Sequence, residues 1–443
     1  MSLPETEPKR LMKKLLLLLL PLTLSADLTL EQAWILALEN SPTEDIAKAR
    51  LAQAKAQAAQ ARGAYHPRIS ASASGSRIEY SGADQLRIPN GSDSTERYEA
   101  EISGSWVLWN NGRRSNRVEA GERTAAAFEA GLTDAREELL AQVGQAFTAA
   151  QLARANLRIA QADVEFQERQ LENSTRKEAA GLDSRTDSLN FEIRKLSAES
   201  AAVQQLANFE SSMAGLSALL GVDPEKEIPP PVRLEPETST LPASVPGGPD
   251  VWKTLDTVLP SLMEAQERVA AAEATVDALE AEYGPEVSAF GNVAAAREED
   301  PSFDEDDLGN TIGLQIQWDI WTGNIREQQI VEAEARLREA EAIAREIRLQ
   351  AVAEVKRRVA TYSASVLAED LAARTFELSR ENRDLVEAAY KAGRETLLRL
   401  NEAQRDFNNA GVRYAAAHLE RQLAWIDYQR ATGELLNKAG ITP

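Results

Sequence analysis

The 443-residue chain contains no cysteine, only two histidines and only 5% aromatic residues. The missing cysteine excludes disulfides, thiolate metal sites and a lipid-anchored N-terminal cysteine. The few aromatic residues, together with long stretches of Ala, Leu, Glu, Arg and Gln, favour extended helices over a thick aromatic core. The formal net charge of −21 argues against nucleic acid as a partner, because a phosphate-binding surface needs clustered Lys and Arg.

Motifs that carry chemistry are also missing. His66 and His418 lie far apart in the sequence, and neither has a metal-ligand or catalytic spacing. The sequence contains no phosphate-binding loop, nucleophile motif or acid/base pair. We therefore expect no enzyme activity, no metal site and no cofactor.

The N-terminus has the three regions of a secretory signal in the right order. Four basic residues precede an apolar run over 15–24, and the small residues Ser25 and Ala26 offer a cleavage site. A helix needs about 20 apolar residues to span a bilayer, and this run is too short. We predict a signal peptide over 1–26, the alternative being an uncleaved interfacial anchor. No later stretch is apolar enough for a membrane helix, so any later span must be β.

The rest of the sequence contains an internal repeat. Matching residues recur at an offset of 218 and then, after a six-residue insertion in the first half, at an offset of 212. The pairs are Pro42/Pro260, Tyr65/Tyr283, Pro67/Pro285, Trp106/Trp318, Trp109/Trp321, Gly181/Gly393 and Gly221/Gly433. We predict a first repeat over 27–221, a proline-rich linker over 222–250 and a second repeat over 251–443.

Each repeat is predicted to run helix, strand, strand, long helix, turn, helix. Alternating apolar and polar residues indicate strands at about 68–80 and 97–109, and again at about 286–296 and 310–321. Strands of about 9–11 residues suit a tilted membrane span. The alternation alone fits a half-buried soluble sheet equally well.

Paired tryptophans lie at the ends of the predicted strands. They are Trp106 and Trp109 in the first repeat and Trp318 and Trp321 in the second. Aromatic residues at such positions form girdles at the two membrane–water interfaces. We predict membrane-interface aromatics here, the alternative being ordinary core residues.

Long helices follow the strands, at about 113–180 and about 324–392. The second of these contains neither glycine nor proline, and its length corresponds to roughly 100 Å of helix. Val352, Val355 and Val359 repeat at spacings of three and four, as in a coiled-coil seam. At the N-terminal end of the first repeat, Thr29 and Gln32 have the spacing of a capping box.

These parts do not make a self-contained monomer. Four membrane strands leave two open sheet edges, and lipid cannot satisfy unpaired backbone groups. Two copies would make an eight-stranded barrel that side chains fill, whereas three copies make a 12-stranded barrel with a lumen. The predicted fold is therefore mainly α with transmembrane β: a trimeric 12-stranded β-barrel that continues into a long α-helical barrel.

Two short motifs carry a resemblance to a known family. Residues 28–33 read LTLEQA and residues 37–42 read ALENSP, which resembles the opening signature of the outer membrane efflux (TolC) family. The duplicated halves, the Ala-Gly turns and the central linker also match that family. The resemblance implies a homotrimeric tunnel in outer-membrane lipid that also crosses the periplasm of a Gram-negative-type envelope. It would be the passive conduit of a tripartite efflux or type I secretion system, docked to an inner-membrane pump through a periplasmic adaptor.

The resemblance also implies which turns meet the adaptor. The turns after the two long helices would form periplasmic tips, and their residues Gly181, Leu182, Gly393 and Arg394 would contact it. Glycine ends a helix well because it adopts positive φ without strain. The residues alone favour plain helical-hairpin turns, and only the resemblance points to an adaptor contact.

Channels of this family close near the tips, and the resemblance assigns the aperture as well. Asp187 and Tyr390 occupy the positions of a carboxylate and a phenol that link the two hairpins. The matching arginine position holds Glu395, with Arg394 one place earlier. Of two acidic positions at the entrance, only Glu402 keeps its acid.

Two alternatives of another class remain, which are the periplasmic adaptor itself and a coiled-coil scaffold of an envelope transport complex. The adaptor would not need a duplicated hairpin together with four alternating strands, and the predicted signal peptide and strands disfavour the scaffold. The exported cargo stays open among drugs, metal ions and proteins.

Overall fold

The structure is a computed structural model of the whole chain. It describes residues 27–79, 94–181, 184–223, 241–245, 252 and 254–438. The predicted signal peptide, most of the predicted linker and Leu182 lie outside the described residues. The described part is mostly helical with one antiparallel sheet, which confirms the predicted fold class at the level of the single chain.

The elements follow one order in both repeats, and the second repeat adds a short helix at its end. In the first repeat they are α1 (Leu30–Asn40), α2 (Pro42–Gly63), β1 (Arg68–Glu79), β2 (Ser94–Trp109), α3 (Arg113–Ala179) and α4 (Arg185–Leu219). In the second repeat they are α5 (Leu255–Val258), α6 (Pro260–Glu280), β3 (Glu286–Glu298), β4 (Leu308–Gln317), α7 (Ile325–Lys391), α8 (Leu397–Thr432) and α9 (Leu435–Lys438).

The capping box at the start of α1 is present as the sequence predicts. The backbone N–H of Gln32 donates to the Thr29 hydroxyl oxygen at 3.2 Å, and the backbone N–H of Thr29 donates to the Gln32 side chain at 3.1 Å. Two donors that the first turn would leave without partners are thereby satisfied.

The four strands pair in the order β1-β2-β3-β4, antiparallel throughout, so β1 and β4 are the edge strands of the described sheet. Gly104 lies opposite Gly291 in the central pair, and Ser70 lies opposite Ser103 in the first. One pattern-based boundary is wrong: β4 ends at Gln317, opposite the first residue of β3, so the predicted strand does not continue to residue 321. Alternation continues past that point, but β3 offers no further partner backbone.

The helices pack side by side rather than around one centre. α3 packs against α2 and α6 near the sheet and against α4 and α8 farther away, while α7 packs against α6 and α8. α2, α4 and β1 therefore lie on one side of the chain, and α7 and β4 lie on the other. No helix in the described part of the chain combines the length and hydropathy needed to cross a membrane.

The largest apolar cluster lies midway along the helices, where α1, α3, α4, α8 and α9 meet. Trp34 is buried there and donates its indole N–H to the carbonyl of Leu140 at 2.9 Å. Gly221, which follows α4, has a φ of +68°, and a Cβ on it would lie 2.3 Å from the carbonyl oxygen of Asn40. Glycine is therefore required where the two helix ends meet.

Candidate functional site

Three side chains cluster where the strands of the first repeat meet its long helix. We call this cluster the first joint, and it consists of Tyr65, Trp106 and Arg114. The indole N–H of Trp106 donates to the backbone carbonyl of Tyr65 at 2.8 Å. The guanidinium of Arg114 lies over the Tyr65 ring, 4.1 Å from its centroid, and donates to the carbonyls of Val107 and Leu108 at the end of β2. Arg114, in the first turn of α3, thus ties this helix to the end of β2.

The second repeat contains the same cluster, the second joint. Trp318 donates to the carbonyl of Tyr283 at 2.9 Å, and the Arg326 guanidinium lies 4.8 Å from the centroid of the Tyr283 ring. Arg326 also donates to the carbonyl of Asp319 at 3.0 Å. The sequence pairs the tyrosines and tryptophans, but their contacts emerge only from the structure.

A tight turn precedes the long helix at each joint. Asn111 and Gly112 have φ values of 53° and 87°, and Gly323 and Asn324 both have a φ of 67°. Glycine and asparagine exchange places between the repeats, because both residue types tolerate the left-handed conformation that each position requires.

All four predicted interface tryptophans are exposed in the single chain, so none is a core residue of it. Trp106, Trp109 and Trp318 are 44%, 48% and 56% exposed, and Trp321 is 85% exposed. Because Trp106 and Trp318 use their N–H groups within the joints, their role includes closing the fold. A contact with lipid remains a proposal for all four.

The tip turns begin with glycines in the left-handed region. Gly181 has a φ of +72° and Gly393 a φ of +69°. The backbone N–H groups of Gly393 and Arg394 return to the carbonyls of Tyr390 and Ala389, both at 2.9 Å, which is the double bond of a Schellman cap. Arg394 itself is exposed.

Tyr390 lies where the two halves meet, near the end of α7. Its ring packs edge-on against Phe191 of α4, with 6.5 Å between the two ring centroids. The ammonium of Lys177 lies over the Tyr390 ring, 5.4 Å from its centroid. Tyr390 also adjoins the apolar cluster of Phe166, Val386, Leu400 and Ala403. The sequence did not single out Lys177 or Phe191, since neither recurs in the other repeat.

The remaining residues predicted for the aperture lie on α4 and α8 and in the second turn. Asp187 is in the first turn of α4, where its carboxylate accepts from the Ser184 hydroxyl at 3.2 Å. It precedes Phe191 by four residues, so it shares the helix face that Phe191 presents to Tyr390. Glu402 is ion-paired with Arg399 on its own helix at 3.5 Å.

Three acidic residues lie close together on α3 near the C-terminal helix, and of these Glu137 is fully buried while Glu138 is exposed. Burial raises the pKa of Glu137 to about 7, although Arg430 and the Leu436 backbone N–H oppose the shift. Burial also raises the pKa of Asp134. Arg430 approaches Glu138 at 2.7 Å and Asp134 at 3.8 Å. Within the described residues, no group of three or more potential ligands is arranged to hold a metal ion.

The sequence profile of the outer membrane efflux protein family matches residues 35–222 and 259–434. The chain belongs to this family. As an outer membrane efflux protein it resides in the outer membrane with its helical part in the periplasm, and it is a transport conduit and not an enzyme. This assignment does not favour the adaptor or scaffold alternative.

Comparisons with individual proteins support the family assignment. Protein CyaE of Bordetella pertussis is 28% identical over 418 residues, which cover 92% of this chain and 85% of CyaE. The outer-membrane channel OprN is 23% identical with a TM-score of 0.77, covering 91% of this chain and 90% of OprN. CusC is 19% identical with a TM-score of 0.79, covering 98% of this chain and 95% of CusC. The two structural matches show the shared fold.

Proposed function

We propose that three copies of this chain assemble into one tube, the passive outer-membrane conduit of a tripartite efflux or type I secretion system. An inner-membrane pump and a periplasmic adaptor would deliver the substrate to it. The main support for the proposal is that the chain has an unpaired edge strand and an exposed apolar helix face on each of two sides. The 67 residues of α7 measure roughly 100 Å, long enough to reach far into the periplasm.

One open helix face belongs to α4. Its apolar residues recur at heptad spacings of four, three, seven and three, and they are between 42% and 68% exposed. We call them the α4 stripe: Leu189, Ile193, Leu196, Val203 and Leu206. On the same side of the chain lies the edge strand β1.

The other open face belongs to α7, on the side of β4. Its leucines recur at spacings of four, seven and seven, and they are between 64% and 67% exposed. We call them the α7 stripe: Leu367, Leu371, Leu378 and Leu385. Because the two stripes are different surfaces with one heptad period, they fit each other between neighbouring copies, and such head-to-tail contacts generate a ring.

The tips supply the adaptor contact and the gate in this proposal. Gly181, Leu182, Gly393 and Arg394 meet the adaptor, and Asp187 with Tyr390 narrows the aperture at rest. Support comes from Phe191, which brings the α4 face of Asp187 to the Tyr390 ring. A phenol that donates to a carboxylate forms a charge-assisted hydrogen bond, which is stronger than a neutral one.

Single-channel recording in planar bilayers tests this function. Protein extracted from the outer-membrane fraction should give small, uniform conductance steps. The pair Asp187→Ala with Tyr390→Phe should enlarge them, because the aperture loses one of its links. An absence of any channel activity in the parent and in this variant would contradict the conduit.

A further inference from the structure

Near the tips, the helical pair α3/α4 touches the pair α7/α8 along a short contact that we call the tip seam. The buried side chain of Gln170 donates to the Glu387 carboxylate at 3.1 Å. Closer to the tip, by seven residues on α3 and three residues on α7, Lys177 and Phe191 contact Tyr390. The two pairs cannot separate at the tip unless these contacts break.

Tyr390 is held in the tip seam on two sides of its ring. Phe191 packs against it in an edge-on arrangement with an interplanar angle of 67°. The ammonium of Lys177 lies over the ring at 5.4 Å from the centroid, within the distance at which the negative face of an aromatic ring attracts a cation. Lys177 belongs to α3 and Tyr390 to α7, so this attraction acts between the two pairs.

The tip seam breaks the symmetry between the repeats. At the offset of 212 residues, Lys177 corresponds to Ala389 and Tyr390 corresponds to Glu178. The first and second joints, in contrast, have the same three residue types in both repeats. The cation–ring contact is therefore not part of the duplicated framework that builds the fold.

We propose that Lys177 and Tyr390 form an intrachain latch that keeps the tip seam closed and so holds the aperture shut at rest. The proposal rests on the proposed function, since it specifies how that gate is regulated. Lys177 is a positioning residue: it acts on the Tyr390 ring and touches no reacting group. The cation at Tyr390 thus comes from the end of α3, whereas the turn after Gly393 holds Glu395.

Single-channel recording of the full-length protein tests the latch. Lys177→Gln removes the charge and should raise the open-state population by about 2–5-fold per subunit, the factor that an exposed cation–π contact supplies. Lys177→Arg keeps the cation and should conduct like the parent. Arg176→Gln is the matched control, because Arg176 is the adjacent cation but pairs with Glu172 on its own helix.

Two substitutions of Tyr390 separate the latch from the hydrogen bond proposed for Asp187. Tyr390→Phe keeps the ring face, so Lys177→Gln should still enlarge the conductance in that background. Tyr390→Leu removes the ring face, so Lys177→Gln should have no additional effect there. All variants should yield the same proportion of trimers as the parent.

Each outcome decides the proposal. The latch is supported if the effect of Lys177→Gln is present with Tyr or Phe at 390 and vanishes with Leu. It is overturned if Lys177→Gln conducts like the parent, or if its effect persists in the Tyr390→Leu background, and the channel function stands in both cases. If the parent forms no channel at all, the proposed function fails and the latch fails with it.

Discussion

The indole N–H of Trp318 donates a 2.9 Å hydrogen bond to the backbone carbonyl of Tyr283. In the first repeat, Trp106 makes the same bond to Tyr65 at 2.8 Å. In each repeat the bond ties the residue just before the strand pair to the end of that pair. The same hydrogen bond therefore joins the sheet to the preceding segment once in each repeat.

The arginine of each joint should stabilise the assembly. Arg326→Met removes the donor to the Asp319 carbonyl and the cation over Tyr283, so it should destabilise the assembly by about 1–3 kcal/mol. The midpoint of heat-induced dissociation in detergent measures this. Arg338→Met, which loses only an exposed pair with Glu334, is the control. Equal midpoints for both variants would mean that the second joint does not stabilise the assembly.

The two stripes should govern assembly. Leu378→Glu places a charge in the α7 stripe, and Ile193→Glu does the same in the α4 stripe, so each should abolish trimers and leave monomers. Ala368→Glu adds the same charge at an exposed position of α7 outside the stripe and should leave trimers intact. Size-exclusion chromatography with light scattering distinguishes these results. Trimers in both stripe variants would mean that other faces form the contact.

The glycine of the second tip should be needed for its backbone conformation. Gly393 has a φ of +69°, and a Cβ there would meet open space, so a larger residue causes strain without a clash. Gly393→Val should cost about 1–3 kcal/mol locally and abolish export while trimers remain in the membrane. Gly393→Asn should retain export, because asparagine tolerates this region. Normal export by the valine variant would exclude the turn from the mechanism.

Stability should fall as pH rises because of Glu137. Its pKa is raised from 4.5 to about 7 by burial, so the folded state prefers the protonated acid. The stabilising effect of protonation is fully present below pH 4.5 and is lost as pH rises through about 7. Glu137→Gln should match the parent at pH 4 and exceed it in stability by about 3 kcal/mol at pH 8. The thermal midpoints of the two proteins, measured from pH 4 to pH 8, test this prediction. A difference in midpoint that does not change with pH would contradict it.

The sequence predicts the fold class because the relevant signals are local and repeated. The Thr29–Gln32 box, the strand alternation and the glycine-free helix each occupy a short window. The end of β4 at Gln317 was not predictable from alternation, since a strand ends where its partner does. Length and period are local properties, whereas pairing is not.

The contacts at the tips depend on packing between distant segments. Lys177 and Tyr390 are 213 residues apart and have no counterpart in the other repeat, so neither periodicity nor duplication indicates that they meet. The arginines of the joints do recur, as Arg114 and Arg326, at the same offset as the tryptophans. Extending the comparison of the repeats to charged residues would have found them.

The mass of the detergent-extracted protein tests the central claim most directly. One chain provides four strands with two open edges, together with the unmatched α4 and α7 stripes. In the proposed trimer, three chains would close all of these surfaces. The account predicts a single species with three times the mass of the mature chain, stable at low protein concentration. A monomer or a dimer as the stable species would contradict it.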